Sequence, residues 1–117
     1  MLKIPKSERG KQSVSHVRSP KQELELANRF KGALVPGSGS GHQKGDVKGC
    51  YGIIRIEAKT TKNKSFSVTR DMLNKIEEAA LCNTEIPAIV IEFIDERGAP
   101  EMEIAIIPTY ALHFIER

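Results

Sequence analysis

Asp46, Glu57 and Lys59 are the residues of this chain whose types and spacing could do chemistry. The first stands in Lys44-Gly45-Asp46-Val47 and the other two in Ile56-Glu57-Ala58-Lys59, with a hydrophobic run between. Side chains alternate between the faces of a strand, so Arg55, Glu57 and Lys59 point one way while Ile54, Ile56 and Ala58 point toward a core. A hairpin partner carrying Asp46 brings its carboxylate beside Glu57. Paired carboxylates repel unless a proton or a cation lies between them, and a hard divalent ion with oxygen ligands and retained waters suits the gap. A neighbouring ammonium can then orient or activate a water. That is the equipment of metal-dependent phosphodiester hydrolysis; the alternative is that Glu57 and Lys59 form only the solvated polar face of a half-buried strand.

A helix must precede this strand pair. Ser19-Pro20-Lys21-Gln22 offers an N-cap serine, a proline at the first helical position and a glutamine three residues after the serine, so a helix is expected from there to about Lys31, with Gly32 as its stop. Leu26, Ala27 and Phe30 form its apolar stripe. At 100° per residue Glu23 falls on that stripe and Glu25 nearly opposite. Glu23 is therefore a candidate third acid for the metal site, its alternative being a first-turn acid that favours the helix dipole; Glu25 is expected in solvent.

Ala33-Leu34-Val35 reads as a short strand. The loop Pro36-Gly37-Ser38-Gly39-Ser40-Gly41-His42 lacks the Gly-Lys-Ser/Thr ending of a nucleotide-binding loop. Its small residues let a phosphate backbone approach, with N–H groups and hydroxyls to meet it, or make it only a flexible linker. A hairpin over 46–48 and 51–59, turning near Gly49-Cys50, leads to a polar turn at 60–64, and Ser65–Val68 extends briefly. Thr69 caps a second helix whose inward face is Met72, Leu73, Ile76, Ala79 and Ala80, ending at Asn83-Thr84. The β-branched run Pro87–Ile94 is a central buried strand. A turn at 95–98 leads to a partner strand over 102–107, and Thr109–Ile115 closes the chain as a short helix or extended tail.

At 117 residues the chain suits one small α/β domain, and 39% hydrophobic content supplies one core. A net charge of +3 is compatible with nucleic acid, and Lys59, Lys62 and Lys64 cluster near the acids. Residues 1–18 carry five basic residues against Glu8 and no apolar period, and read as a flexible basic arm, either ordering on DNA or without function. Cys50 and Cys82 are not a disulfide framework and are expected to be reduced and buried. No stretch has the length or apolarity of a membrane span or a secretory signal, so a cytoplasmic location is expected.

Five pieces occur in order: Gln22-Glu23-Leu24-Glu25-Leu26, Gly37-Ser38-Gly39-Ser40, Lys44-Gly45-Asp46-Val47, Ile56-Glu57-Ala58-Lys59 with Thr60-Thr61-Lys62-Asn63-Lys64, and Arg70-Asp71-Met72. In these the chain resembles the archaeal-type Holliday junction resolvases and their phage-borne relatives, within the PD-(D/E)xK nuclease superfamily, over roughly residues 19–94. It departs from them in its long basic arm and in Leu24, where an Arg often follows the helix glutamate. The resemblance implies a restriction-endonuclease-like α-β-β-β-α-β core over 19–117, a mixed sheet flanked by helices. It implies a homodimer that resolves four-way DNA junctions by paired nicks in recombination and repair, using Mg²⁺ with Mn²⁺ able to substitute. Glu23, Asp46, Glu57 and the Ala58 carbonyl would hold the metal and Lys59 would orient water. Ser38, Ser40, Lys44 and Lys62 would contact the DNA backbone; His42 would carry a proton or bind phosphate, or as a lone loop histidine is simply solvated; and Arg70 would touch DNA or pair with Asp71 or a helix neighbour. The alternatives are a nuclease of the same fold acting on duplex or flap DNA, and a junction-binding module without catalysis.

Overall fold

The computed structural model describes residues 14–36 and 45–114. The elements run α1 (Val14–Arg29), β1 (Ala33–Leu34), β2 (Val47–Cys50), β3 (Ile54–Thr61), α2 (Arg70–Cys82), β4 (Ile86–Ile94), β5 (Pro100–Ile106) and a 3-10 helix (Thr109–Phe114). The fold is α/β: one five-stranded mixed sheet in the order β1-β2-β3-β4-β5, with β3 and β4 parallel and the other neighbours antiparallel.

Strand alternation puts a core on each face of the sheet. Ala88 and Val90 of β4 join Val47, Cys50 and Ile56 under Leu26 and Ala27 of α1. Ile89 and Ile91 turn the other way and meet Ile76 of α2, with Phe66, Val68 and Met72 packed against them. With helices over both faces, β4 reads as an almost continuous apolar run. The parallel step from β3 to β4 needs a crossover, which α2 supplies while packing on both strands. Thr69 caps α2 as expected, its hydroxyl accepting the Met72 N–H at 3.2 Å, and Asn83 ends it.

Several expectations are corrected. The helix α1 begins at Val14, so the proposed arm boundary at residue 18 falls inside it and Pro20 is an interior residue. An interior proline removes one helical hydrogen bond and disfavours continuation by about 3 kcal/mol or more, so the upstream turns need an anchor. Arg18 is that anchor. Its Nε and Nη2 donate to both oxygens of Glu92 on β4, at 2.7 and 2.8 Å, and its guanidinium also holds Glu25. Glu25 is therefore exposed but paired, and Arg18 keeps its carboxyl below the usual carboxylate range.

At the other end of α1, Lys31 rather than Gly32 takes the left-handed conformation (φ 58°), and the Gly32 N–H closes onto the Ala27 carbonyl at 2.8 Å. The hairpin turns at Tyr51–Ile53, because Gly49 and Cys50 still belong to β2. The strand β3 continues through Thr61, Ser65–Val68 is not a strand, and Cys82 is exposed. Leu73 stays largely exposed. Among the described residues no helix is long and apolar enough to cross a membrane.

Candidate active site

The site forms where β2 parts from β3. Val47 pairs with Ile56, and one residue earlier the Asp46 N–H still donates to the Ile56 carbonyl at 2.8 Å. The Asp46 carbonyl accepts from Val35 at 3.0 Å, so its backbone is clamped from both sides. Beyond Ile56, β3 has no β2 residue opposite it. The Asp46 side chain takes that place, its Oδ2 accepting the Ala58 N–H at 2.7 Å. The turn into Asp46 depends on Gly45, at φ +92°, where a Cβ would press on Arg55 and Ile76 at 3.1 Å.

Glu57 and Lys59 point away from the α1-side core, with Lys59 Nζ 3.4 Å from Glu57 Oε2. Burial pushes the Asp46 carboxyl up to about 7, and the charges of Glu57 and Glu23 and a hydrogen bond with Glu57 push the same way against the Ala58 N–H. Burial and then Glu57 also raise Glu23. The sequence-predicted acids thus act on one another electrostatically across three elements, α1, the entry to β2, and β3. Half-buried Glu23 lies on the inward side of its helix, as its phase required.

The donor set fits a hard divalent cation in one respect and departs from expectation in another. Asp46 lies within hydrogen-bond reach of Glu57, and such an ion accepts one or two carboxylates with water completing its shell. Yet among the described residues no group of three or more His, Cys, Asp or Glu side chains could hold a metal ion. The described residues therefore present a carboxylate pair, with Glu23 acting from further off.

Of the other expected site residues, Ser38, Ser40, His42 and Lys44 lie outside the described residues. Lys62 lines a cleft with Lys64 whose other residues include Asp95, Glu96 and Glu101, so its charge is offset there. Arg70 is exposed at the start of α2, while Asp71 pairs with Lys75 at 3.1 Å.

Two supports were not foreseen. Gln22, 1% exposed, donates from Nε2 to the Lys59 carbonyl at 2.9 Å and so ties α1 to the site strand. Arg55 is buried against Glu85 at 2.7 Å, and Glu85 also accepts the Gly49 N–H at 2.6 Å, bracing the hairpin beneath the acids. The available signal for the second was a charged residue two positions before Glu57 on a covered strand, which needs a counter-charge. Compared with known proteins, the chain matches no family model, no curated protein and no solved structure.

Proposed function

We propose that this protein is a metal-dependent endonuclease, and that its substrate is branched DNA of the four-way junction type. The observation that carries the proposal is the Asp46–Glu57 pair, crowded enough to hold Asp46 protonated up to about pH 7, with the Lys59 ammonium 3.4 Å from Glu57. Paired acids beside an amine, at the point where two strands part, suit phosphodiester hydrolysis better than fold support. Glu92 and Glu85 each face an arginine, as structural acids do, whereas Asp46 faces a second carboxylate.

Asp46, Glu57 and the Ala58 carbonyl would hold Mg²⁺ or Mn²⁺, with Glu23 reaching it through water. The ion would supply Lewis-acid polarisation of the scissile phosphate and a lowered pKa for bound water. Lys59 would orient the attacking water and face the charge developing on the phosphate oxygens. Clamping Asp46 between Val35 and Ile56, and Lys59 through Gln22, holds these groups in register before substrate arrives. Resemblance in five ordered sequence pieces supports the restriction-endonuclease-like core, the junction substrate and the homodimer, since two symmetric nicks call for two equivalent sites.

The test is incubation with a synthetic four-way junction and with a duplex of the same sequence in Mg²⁺. Paired nicks in opposing strands of the junction are expected, abolished by Asp46→Asn and Glu57→Ala with binding in EDTA retained. Equal cutting of the duplex favours a nuclease of other specificity. Tight binding without product in Mg²⁺ or Mn²⁺ refutes catalysis.

A further inference from the structure

A second charged feature lies on the sheet beside the acids. The exit of α1, the β2 strand and the end of α2 enclose an open cleft of about 400 Å³, lined by Lys31, Lys48, Arg55, Asn83 and Glu85 together with the backbone of Gly32 and Gly49. Three cationic side chains meet one carboxylate there. Both Glu85 oxygens are engaged inward, one by Arg55 and one by the Gly49 N–H, so the floor is a fixed ion pair and the two lysines supply the surplus charge.

The lysines are held there by the fold. Gly32 brings the α1 exit so close to β2 that a Cβ would stand 2.7 Å from Cys50 Sγ and 2.8 Å from the Lys48 carbonyl. That approach carries Lys31 to the cleft's edge beside Lys48. Lys31 does so in the left-handed conformation, at the helix-ending position where glycine is the unstrained choice. Lys48 follows Val47, whose side chain is in the α1-side core, so Lys48 points to the other face, the face of Glu57. It stands two residues from Asp46, about 7 Å along an extended strand, or roughly two nucleotide rises of a DNA strand.

We infer that this cleft is a phosphate-binding subsite. Lys31 and Lys48 take a backbone phosphodiester about two nucleotides along the same nucleic-acid strand from the phosphate at Asp46 and Glu57. The inference rests on the nuclease reading for its ligand, and on the cleft alone for its residues. Like charges gathered over a rigid floor form a standing anion site, and a backbone phosphate is the anion that recurs at this spacing. The contact carries no base information, and so fits recognition by shape.

Binding of a fluorescently labelled four-way junction, followed by anisotropy in EDTA while NaCl is varied, tests it without requiring cleavage. The variants are Lys31→Gly, Lys48→Gln and the pair together, with Lys75→Gln as a charge-matched control on the outer face of α2. The double variant is expected to weaken binding about tenfold near 0.1 M salt and to reduce the log–log salt slope by about 1, the share of one phosphate. Lysine-to-arginine replacements should keep both. Lys31→Gly should raise the melting temperature while weakening binding, opposite movements that a merely structural lysine would not produce. Unchanged affinity and slope in the double variant, or an equal loss in Lys75→Gln, overturns the subsite. If cleavage survives that result, the nuclease reading stands and this one alone fails; a wild-type protein that binds no DNA overturns both.

Discussion

Replacing Asp46 with asparagine should make the protein more stable at pH 8 while removing activity. An asparagine keeps a side-chain carbonyl to accept the Ala58 N–H, so the local hydrogen bond survives and only the charge is lost. In the folded chain the Asp46 carboxyl titrates at about 7, against 3.8 for an ordinary aspartate, because burial and Glu57 disfavour its charge. Between those values the folded state holds a proton that the unfolded state has released. Stability therefore falls as pH rises from about 4 to about 7, and levels off above. At 1.36 kcal/mol per tenfold change the full effect is about 4 kcal/mol; solvent screening at a half-buried site reduces it to about 2 kcal/mol.

For a domain of this size that corresponds to roughly 10 °C in melting temperature. Thermal unfolding followed by circular dichroism from pH 4 to 8 in EDTA should show the wild type declining through this window, and Asp46→Asn declining much less. Millimolar Mg²⁺ at pH 8 should restore the wild type and do little for the variant, because a cation that binds only the folded state stabilises it. Parallel pH profiles for the two proteins, or an asparagine variant less stable at pH 8, would refute the claim that the acids crowd one another.

Two further outcomes are expected. Arg18→Met should destabilise the protein by about 3–5 kcal/mol in denaturant titrations by leaving Glu92 buried without its cation, and Arg18→Met with Glu92→Met should recover most of that loss. Glu23→Gln should lower junction cleavage on the order of 10- to 100-fold, whereas Glu25→Gln should leave cleavage intact and reduce stability by less than about 1 kcal/mol, as for an exposed ion pair. Equal loss of activity from both would sink the assignment of Glu23 to the site.

Much of the arrangement was legible because it is local. Thr69 as a cap, Asn83 as a stop and the apolar run of β4 each follow from residue type within a few positions. So does the phase of Glu23 against Glu25. The start of α1 is not local, for the opposite reason. Ser19-Pro20 is a sound start signal by local rules, but the turns upstream are held by Arg18 reaching Glu92, 74 residues away. A glutamate inside the buried run of β4 was the one hint of it, and no local rule names its partner. The αL turn at Lys31 is likewise not legible locally, because the adjacent glycine is the residue local preference selects.

By itself the chain's order of residue types determined that Glu57 and Lys59 share a strand face, that Glu23 lies on the inner side of its helix, and that two helices and a hydrophobic strand surround them. Periodicity along the backbone decides such matters, and periodicity is written in the residues. Only the tertiary structure decided that β2 leaves β3 at Ile56, that the Asp46 carboxylate occupies the gap, and that two lysines from different elements meet over the Arg55–Glu85 pair. Those outcomes depend on strand register and on close approach between distant segments, and long-range packing, not local preference, sets both.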